Sequence, residues 1–253
     1  MLFKADSTVC DEIRPSPNFG ARAADVPLDM LILHYTGMPD GEAALQWLCS
    51  EKSQVSCHYF IFEDGRTVQL VAEEARAWHA GASYWKGKTD INSQSIGIEI
   101  DNPGHEHGYR AFPEAQIATV ITLCKDICDR RQIVSENILA HSDVAPERKE
   151  DPGELFPWER LAGEGIGLWT SQVPLTGGRF LQEGDQGQPV EALQSMLGLY
   201  GFDLRVSGNF DHYTKTCVEA FQRHHRQVQV DGIADMSTIT SLHQLLKLRS
   251  ELV

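Results

Sequence analysis

The 253-residue sequence predicts an α/β fold, a mixed β-sheet flanked by helices, with a small all-α module of three helices behind it. Three observations predict this. Leu28–Thr36 is a near-continuous apolar run too short for a typical helix, so it reads as a strand buried on both faces. Cys57–Glu63 and Thr67–Val71 flank Asp64-Gly65, a hairpin signal that adds an antiparallel pair. Beyond residue 180 the apolar spacing is helical in three segments, Val190–Leu199, Thr214–His225 and Ser237–Leu248. Breaks at Gly201, Gly208 and Asp231-Gly232 separate them.

The remaining elements follow in order. Gly41–Glu51 has helical spacing, with Ala44, Leu45 and Leu48 on one side. Ser95–Asn102 alternates: Ile96, Ile98 and Ile100 face one way, Gly97, Glu99 and Asp101 the other. Phe112–Gln132 is the longest predicted helix, striped by Ile117, Val120, Ile121, Cys124, Ile127 and Cys128, and Pro113 suits its first turn. Ile138–His141 reads as a short strand ahead of a loop rich in charge and proline. Residues 163–179 are rich in Gly, Thr and Ser and lack periodicity, which predicts a linker between a domain at 1–162 and one at 180–253.

Charge agrees with two domains. Residues 1–170 hold 15 basic and 27 acidic groups, whereas 171–253 hold 7 and 9. The total, 22 against 36 for a net charge of −14, argues against phosphate neutralisation, so no nucleic-acid partner is expected. No apolar stretch approaches the ~18 residues that span a bilayer, and no membrane span is expected. The first 25 residues carry Asp6, Asp11, Glu12 and Asp25 and no apolar core of the kind an export signal uses, which predicts the cytoplasm. Six thinly spread cysteines with no CxxC pair predict free thiols in a reducing compartment.

Chemistry is signalled by scattered residues. His34 closes the first buried strand, where ligand crevices open in α/β sheets, and His141 closes another. Pro152 biases Asp151 towards an extended backbone, which turns Lys149 and Asp151 to one side. Two imidazoles and one carboxylate, His34, His141 and Asp151, are the donor set of a hydrolytic zinc site with its fourth position open. By these residues alone the zinc site is the minority reading, since a histidine on a buried strand is more often a satisfied core residue than a ligand. Glu99 on an otherwise apolar strand is costly unless used or paired. Gly97, on its face, is expected to leave room for a substrate.

The segments LILHYT (31–36), RAWHAG (76–81), SIGIEI (95–100), AHSDVAPERKEDPG (140–153) and LFPW (155–158) closely resemble, in order, the zinc N-acetylmuramoyl-L-alanine amidases of the AmpD/AmiD group. The C-terminal module resembles the three-helix peptidoglycan-binding domain, on Val190, Leu193-Gln194, Gly201-Phe202, Gly208–Phe210, Thr214, Phe221-Gln222 and Asp231–Ile233. The resemblance implies an amidase/peptidoglycan-recognition-like fold. It also implies one Zn2+ per chain on His34, His141 and Asp151, with Glu99 and Lys149 as catalytic groups. The implied reaction is hydrolysis of the amide between the lactyl group of N-acetylmuramic or 1,6-anhydro-muramic acid and L-alanine of the stem peptide. Peptidoglycan fragments are the implied partners, in wall turnover or recycling.

Trp78, His79 and Ala80 resemble the family's substrate-side loop, with core packing the rival reading for Trp78 and a structural hydrogen bond for His79. Arg76 is expected either to fork onto a stem-peptide carboxylate or to sit in an ordinary ion pair. Tyr35 follows the first implied ligand, where the single-domain cytosolic branch often has a smaller residue; it is expected beside the substrate. With the added module it leans towards the two-domain branch that accepts larger wall fragments, so a periplasmic or wall-associated location is the alternative to the cytoplasm. His58 reads as structural, His105 and His107 as a solvated loop. His224 and His225 are expected to face solvent, and Phe202, Phe210 and Phe221 to be core. A recognition protein of related fold that binds wall peptides without cutting them is the competing class. Such proteins usually lack a ligand, and here all the donor types are present.

Overall fold

A computed structural model describes residues 3–171, 173–175 and 177–251. Its elements in chain order begin with β1 (Glu12–Ile13), β2 (Phe19–Ala21), β3 (Met30–Tyr35), α1 (Gly41–Leu48), β4 (Tyr59–Ile61), β5 (Thr67–Gln69) and β6 (Ala75–Ala77). Then come α2 (Ile91–Gln94), β7 (Ser95–Ile100), α3 (Glu114–Arg131), β8 (Ile138–Ala140), α4 (His141–Val144) and α5 (Trp158–Gly163). The helices α6 (Gln188–Tyr200), α7 (His212–His225) and α8 (Met236–Glu251) complete the chain.

A six-stranded mixed sheet runs β1-β5-β4-β7-β3-β8, antiparallel only between β4 and β5. That pair is the expected hairpin around Asp64-Gly65. A two-stranded ribbon, β2 with β6, lies beside the sheet. Strand alternation sends apolar side chains to opposite faces of the sheet. Leu31, Leu33, Ile96, Ile98 and Ile100 pack with Ile117, Val120 and Cys124 of α3. Met30 and Ile32 face the other way and join Trp85, Val190, Leu197, Tyr200 and Phe221 in one apolar cluster. The C-terminal helices therefore share an apolar cluster with this face of the sheet, and α7 meets it through α4. Phe202, Phe210 and Phe221 lie in this core.

Several expectations change. His141 does not end β8 but opens the single turn α4 that follows it. Within 163–179, Ile166 is buried, and Leu168 and Trp169 pack on the two clusters just described; Gln172 and Thr176 lie outside the described residues. His224 and His225 are buried, 2% and 3% exposed, instead of facing solvent. Helix α7 buries one face in its own module and another against the sheet domain, which places both imidazoles at the seam. Gly201 marks the closest approach there: a Cβ would stand 2.7 Å from the Trp85 ring.

One buried charge ties β4 to the end of α3. Glu73 is fully buried and takes Tyr59 Oη–H at 2.7 Å, Arg130 at 2.8 Å and Arg131 at 2.6 Å. Burial alone would raise its carboxyl; the Arg130 guanidinium, with Tyr59 and Arg131, outweighs this and holds it down at about 2. A value depressed below the ordinary 4.5 contributes stability above that pH, lost as pH falls from 4.5 towards 2. Glu73→Gln is expected to cost about 2–3 kcal/mol at pH 7. It should also flatten the acid limb of stability, read from urea unfolding between pH 2 and 7.

Candidate metal centre

Two neighbouring parallel strands set the site. His34 and Glu99 are paired residues of the parallel strands β3 and β7, so both side chains emerge on the face away from α3. Ala140 pairs with Leu33 on the other side of β3, which brings His141 next to His34. Asp151 arrives from the loop after α4, where the Ser142 amide donates to the Asp151 carbonyl at 3.1 Å. All of this lies at the carboxyl ends of the strands, where α/β sheets open.

His34 Nδ1, His141 Nδ1 and Asp151 Oδ2 stand 2.9–3.0 Å from one another, each in a buried residue. The partners of the outer ring nitrogens fix the tautomers. His141 Nε2 faces the Ala80 carbonyl at 3.2 Å and must donate, leaving Nδ1 bare. Ser95 gives its one proton to the Ile91 carbonyl, so its oxygen can only accept, and His79 donates to it from Nε2. His79 Nδ1 is then an acceptor for His34 Nε2–H at 3.0 Å, which leaves His34 Nδ1 bare as well. Burial and the neighbouring His141 push His34 down to about 4, so it is neutral at pH 7. Three lone-pair atoms then converge with no proton between them. Such a cluster is repulsive alone and suits a divalent cation, and the donors fit a metal ion with an open position.

Beside it, Glu99 Oε2 is sealed from solvent with no hydrogen-bond partner, although the residue as a whole is partly accessible. Burial and Asp151 push this carboxyl well up, against the opposing charge of Lys149. Glu99, Lys149, His141 and Asp151 line one cavity of about 230 Å3, whose apolar wall includes Trp47 and Trp78. A larger cavity of about 580 Å3 adjoins it, running from Tyr35, Lys149 and Asp151 to Arg223 of α7.

The other expected site residues take varied places. Tyr35 lines both cavities; its hydroxyl meets His105 Nδ1 at 2.9 Å, and burial pushes it up to about 12. Trp78 lines the smaller cavity. Arg76 instead pairs with Asp90 at 2.8 Å and lines neither cavity. His79 shows the cavity an edge, but both its ring nitrogens are committed to His34 and Ser95. Ala80 acts through its carbonyl, which receives His141 and Arg148.

Gly97 leaves no room for substrate: a Cβ there would meet the His79 ring at 2.5 Å. The missing side chain admits the imidazole that orients His34. Gly97→Ala is expected to displace His79 and weaken metal binding by ~10–100-fold, measured by chelator competition. Ser95 was absent from the sequence-based candidates. Its signal was there, since Ser95, Gly97 and Glu99 alternate onto one strand face, along with Trp47, an aromatic beside the polar face of α1.

A mixed sheet that gathers a three-donor metal site and a sealed carboxylate at its open end has the parts of a metal-dependent hydrolase. The sequence model of the N-acetylmuramoyl-L-alanine amidase family matches residues 24–154, and that of a peptidoglycan binding domain matches 186–242. The N-acetylmuramoyl-L-alanine amidase AmiD of Escherichia coli is 37% identical over 241 residues, which is 90% of this chain and 85% of that protein. Its structure with the substrate anhydro-N-acetylmuramic acid-L-Ala-D-gamma-Glu-L-Lys superposes with a TM-score of 0.74 at 36% identity, covering 89% of this chain and 91% of that one. AmpDh3 of Pseudomonas aeruginosa, in complex with an anhydromuramic pentapeptide, gives 0.72 at 28% identity over 98% and 99%. The chain belongs to the N-acetylmuramoyl-L-alanine amidase family. No helix among the described residues is long and apolar enough to cross a membrane.

Proposed function

We propose that the protein hydrolyses the amide between the lactyl group of N-acetylmuramic, or 1,6-anhydro-N-acetylmuramic, acid and L-alanine of a stem peptide, with one zinc ion per chain. The observation that carries this is the convergence of His34 Nδ1, His141 Nδ1 and Asp151 Oδ2 within 3.0 Å of one another, beside Glu99 with its sealed Oε2. The ligands of a peptidoglycan amidase of similar fold, named above, support the substrate class. The domain boundaries proposed are 1–162 for the amidase, 163–179 for the connection and 180–253 for the three-helix domain. Six cysteines, all free, support the cytoplasm as its compartment.

His34, His141 and Asp151 hold the ion in this reading. A zinc ion there would supply Lewis acidity to the scissile carbonyl and to a water. Glu99 takes the water proton and returns it to the leaving amine; a carboxyl pushed upward by burial is suited to both halves of that exchange. Lys149, on the same cavity wall, faces the charge that develops on the carbonyl oxygen. Trp47, Trp78 and Tyr35 form the walls against which a muramyl ring and peptide would rest, and Arg148, Lys149 and Arg223 give the larger cavity cations suited to stem-peptide carboxylates.

The test is product analysis by mass. Zinc-loaded protein is incubated with intact sacculi and, separately, with soluble anhydro-muropeptides. Release of peptides beginning with L-alanine from either substrate is the expected result. Zinc-loaded protein that cleaves neither would instead be a binding protein, and a product that keeps L-alanine on the sugar would make it a peptidase.

A further inference from the structure

The second helix of the C-terminal module touches the turn that carries His141. Asp143, two residues beyond that imidazole in α4, is fully buried. Its Oδ2 accepts the Ala140 amide at 2.8 Å, which closes the turn on which His141 stands. The same oxygen accepts His224 Nδ1–H from α7 at 2.7 Å, and Oδ1 faces the Tyr200 hydroxyl of α6 at 3.3 Å. A buried carboxylate must find donors or pull away towards water. Two of these three come from the other module.

His224 is itself held in place. Its ring stacks between Trp158 of α5, at 3.8 Å, and His225, at 3.9 Å. Gly201 and Trp85 close the seam nearby, and Gln227 donates to the Phe156 carbonyl at 2.7 Å. The donor on Asp143 therefore has little freedom to move, and neither has the carboxylate.

We infer that the C-terminal module is part of the scaffold of the metal centre: His224, through Asp143, positions His141 for the ion. This rests on reading His141 as a ligand. Having no contact of its own with the three donor atoms, His224 is a positioning residue. Without its donor, Asp143 would turn from the Ala140 amide to seek another, and the α4 turn would loosen. His141 Nδ1 would then lose its 2.9 Å register with His34 Nδ1.

The experiment measures zinc affinity of the full-length chain by chelator competition, with the visible spectrum of the cobalt-loaded protein as a second readout. His224→Leu removes the donor, while His224→Asn keeps an amide N–H near the Nδ1 position. Gln227→Ala loosens the seam without touching Asp143. The inference expects zinc to weaken by ~10–100-fold in His224→Leu, with an altered cobalt spectrum. His224→Asn should recover most of the affinity, and Gln227→Ala should match the wild type. Wild-type affinity in His224→Leu would overturn it, as would equal losses in the Leu and Asn variants, because packing and not the donor would then matter. If His224→Leu does not fold, Tyr200→Phe carries the test: a threefold or greater loss supports the inference, and no loss overturns it. His141→Ala is run alongside. If it retains wild-type zinc binding, the ligand assignment itself fails, an outcome distinct from failure at His224.

Discussion

Replacing Glu99 by glutamine is expected to leave one divalent ion bound per chain while amide cleavage falls by about 10²–10⁴-fold. Glutamine keeps the shape of the side chain and cannot take a proton from water. The buried Oε2 has no partner to lose, and removal of a carboxylate from a site already near Asp151 relieves repulsion. The variant should therefore melt no lower than the wild type. Metal analysis, thermal melting and steady-state cleavage of an anhydro-muropeptide together check this. Rates within threefold of wild type would move proton transfer to another group.

Truncating Asp151 to alanine should act on the ion itself. A structural zinc site is worth about 10–16 kcal/mol in all. One donor of the set then contributes about 3–4 kcal/mol, or two to three orders of magnitude in affinity. Activity should disappear with the metal. Thermal melting supplies the sharper comparison: a ligand that binds only the folded state raises its stability, so a chelator should lower the melting temperature of the wild type. The same chelator should leave the Asp151→Ala variant unmoved. If both proteins responded equally, or neither did, Asp151 would not be holding the ion.

Local patterns were legible where a residue's period decides its neighbours. Alternation along Ser95–Ile100 sorts the isoleucines from Glu99, and the uninterrupted run of β3 reflects cover on both faces, with α3 behind and the C-terminal helices in front. The roles of His79 and Gly97 were not legible in this way. Their contact crosses from a loop to a strand 18 positions later, and a glycine two residues from Glu99 looks the same whether substrate or imidazole fills the space. His224 and His225 are buried for a reason that the helical period does not show. Helical spacing identifies one buried face, whereas α7 has two, and the second depends on how the modules meet. Strands β1 and β2, two and three residues long, carry too few positions for any period to register.

The seam between the modules also alters what the small helical domain does. Met30 and Ile32 of the sheet share one apolar cluster with Phe221 and Leu242, so the helical domain is packed against the sheet domain. Its removal would uncover Trp85 and strip Asp143 of two hydrogen-bonding groups.

The most direct measurement is anomalous diffraction at the zinc edge from crystals of the metal-loaded protein. The expected result is a single strong peak bounded by His34 Nδ1, His141 Nδ1 and Asp151 Oδ2, with no fourth protein donor and an open side towards Glu99. A peak elsewhere, or an ion closed off by four protein ligands, would contradict it.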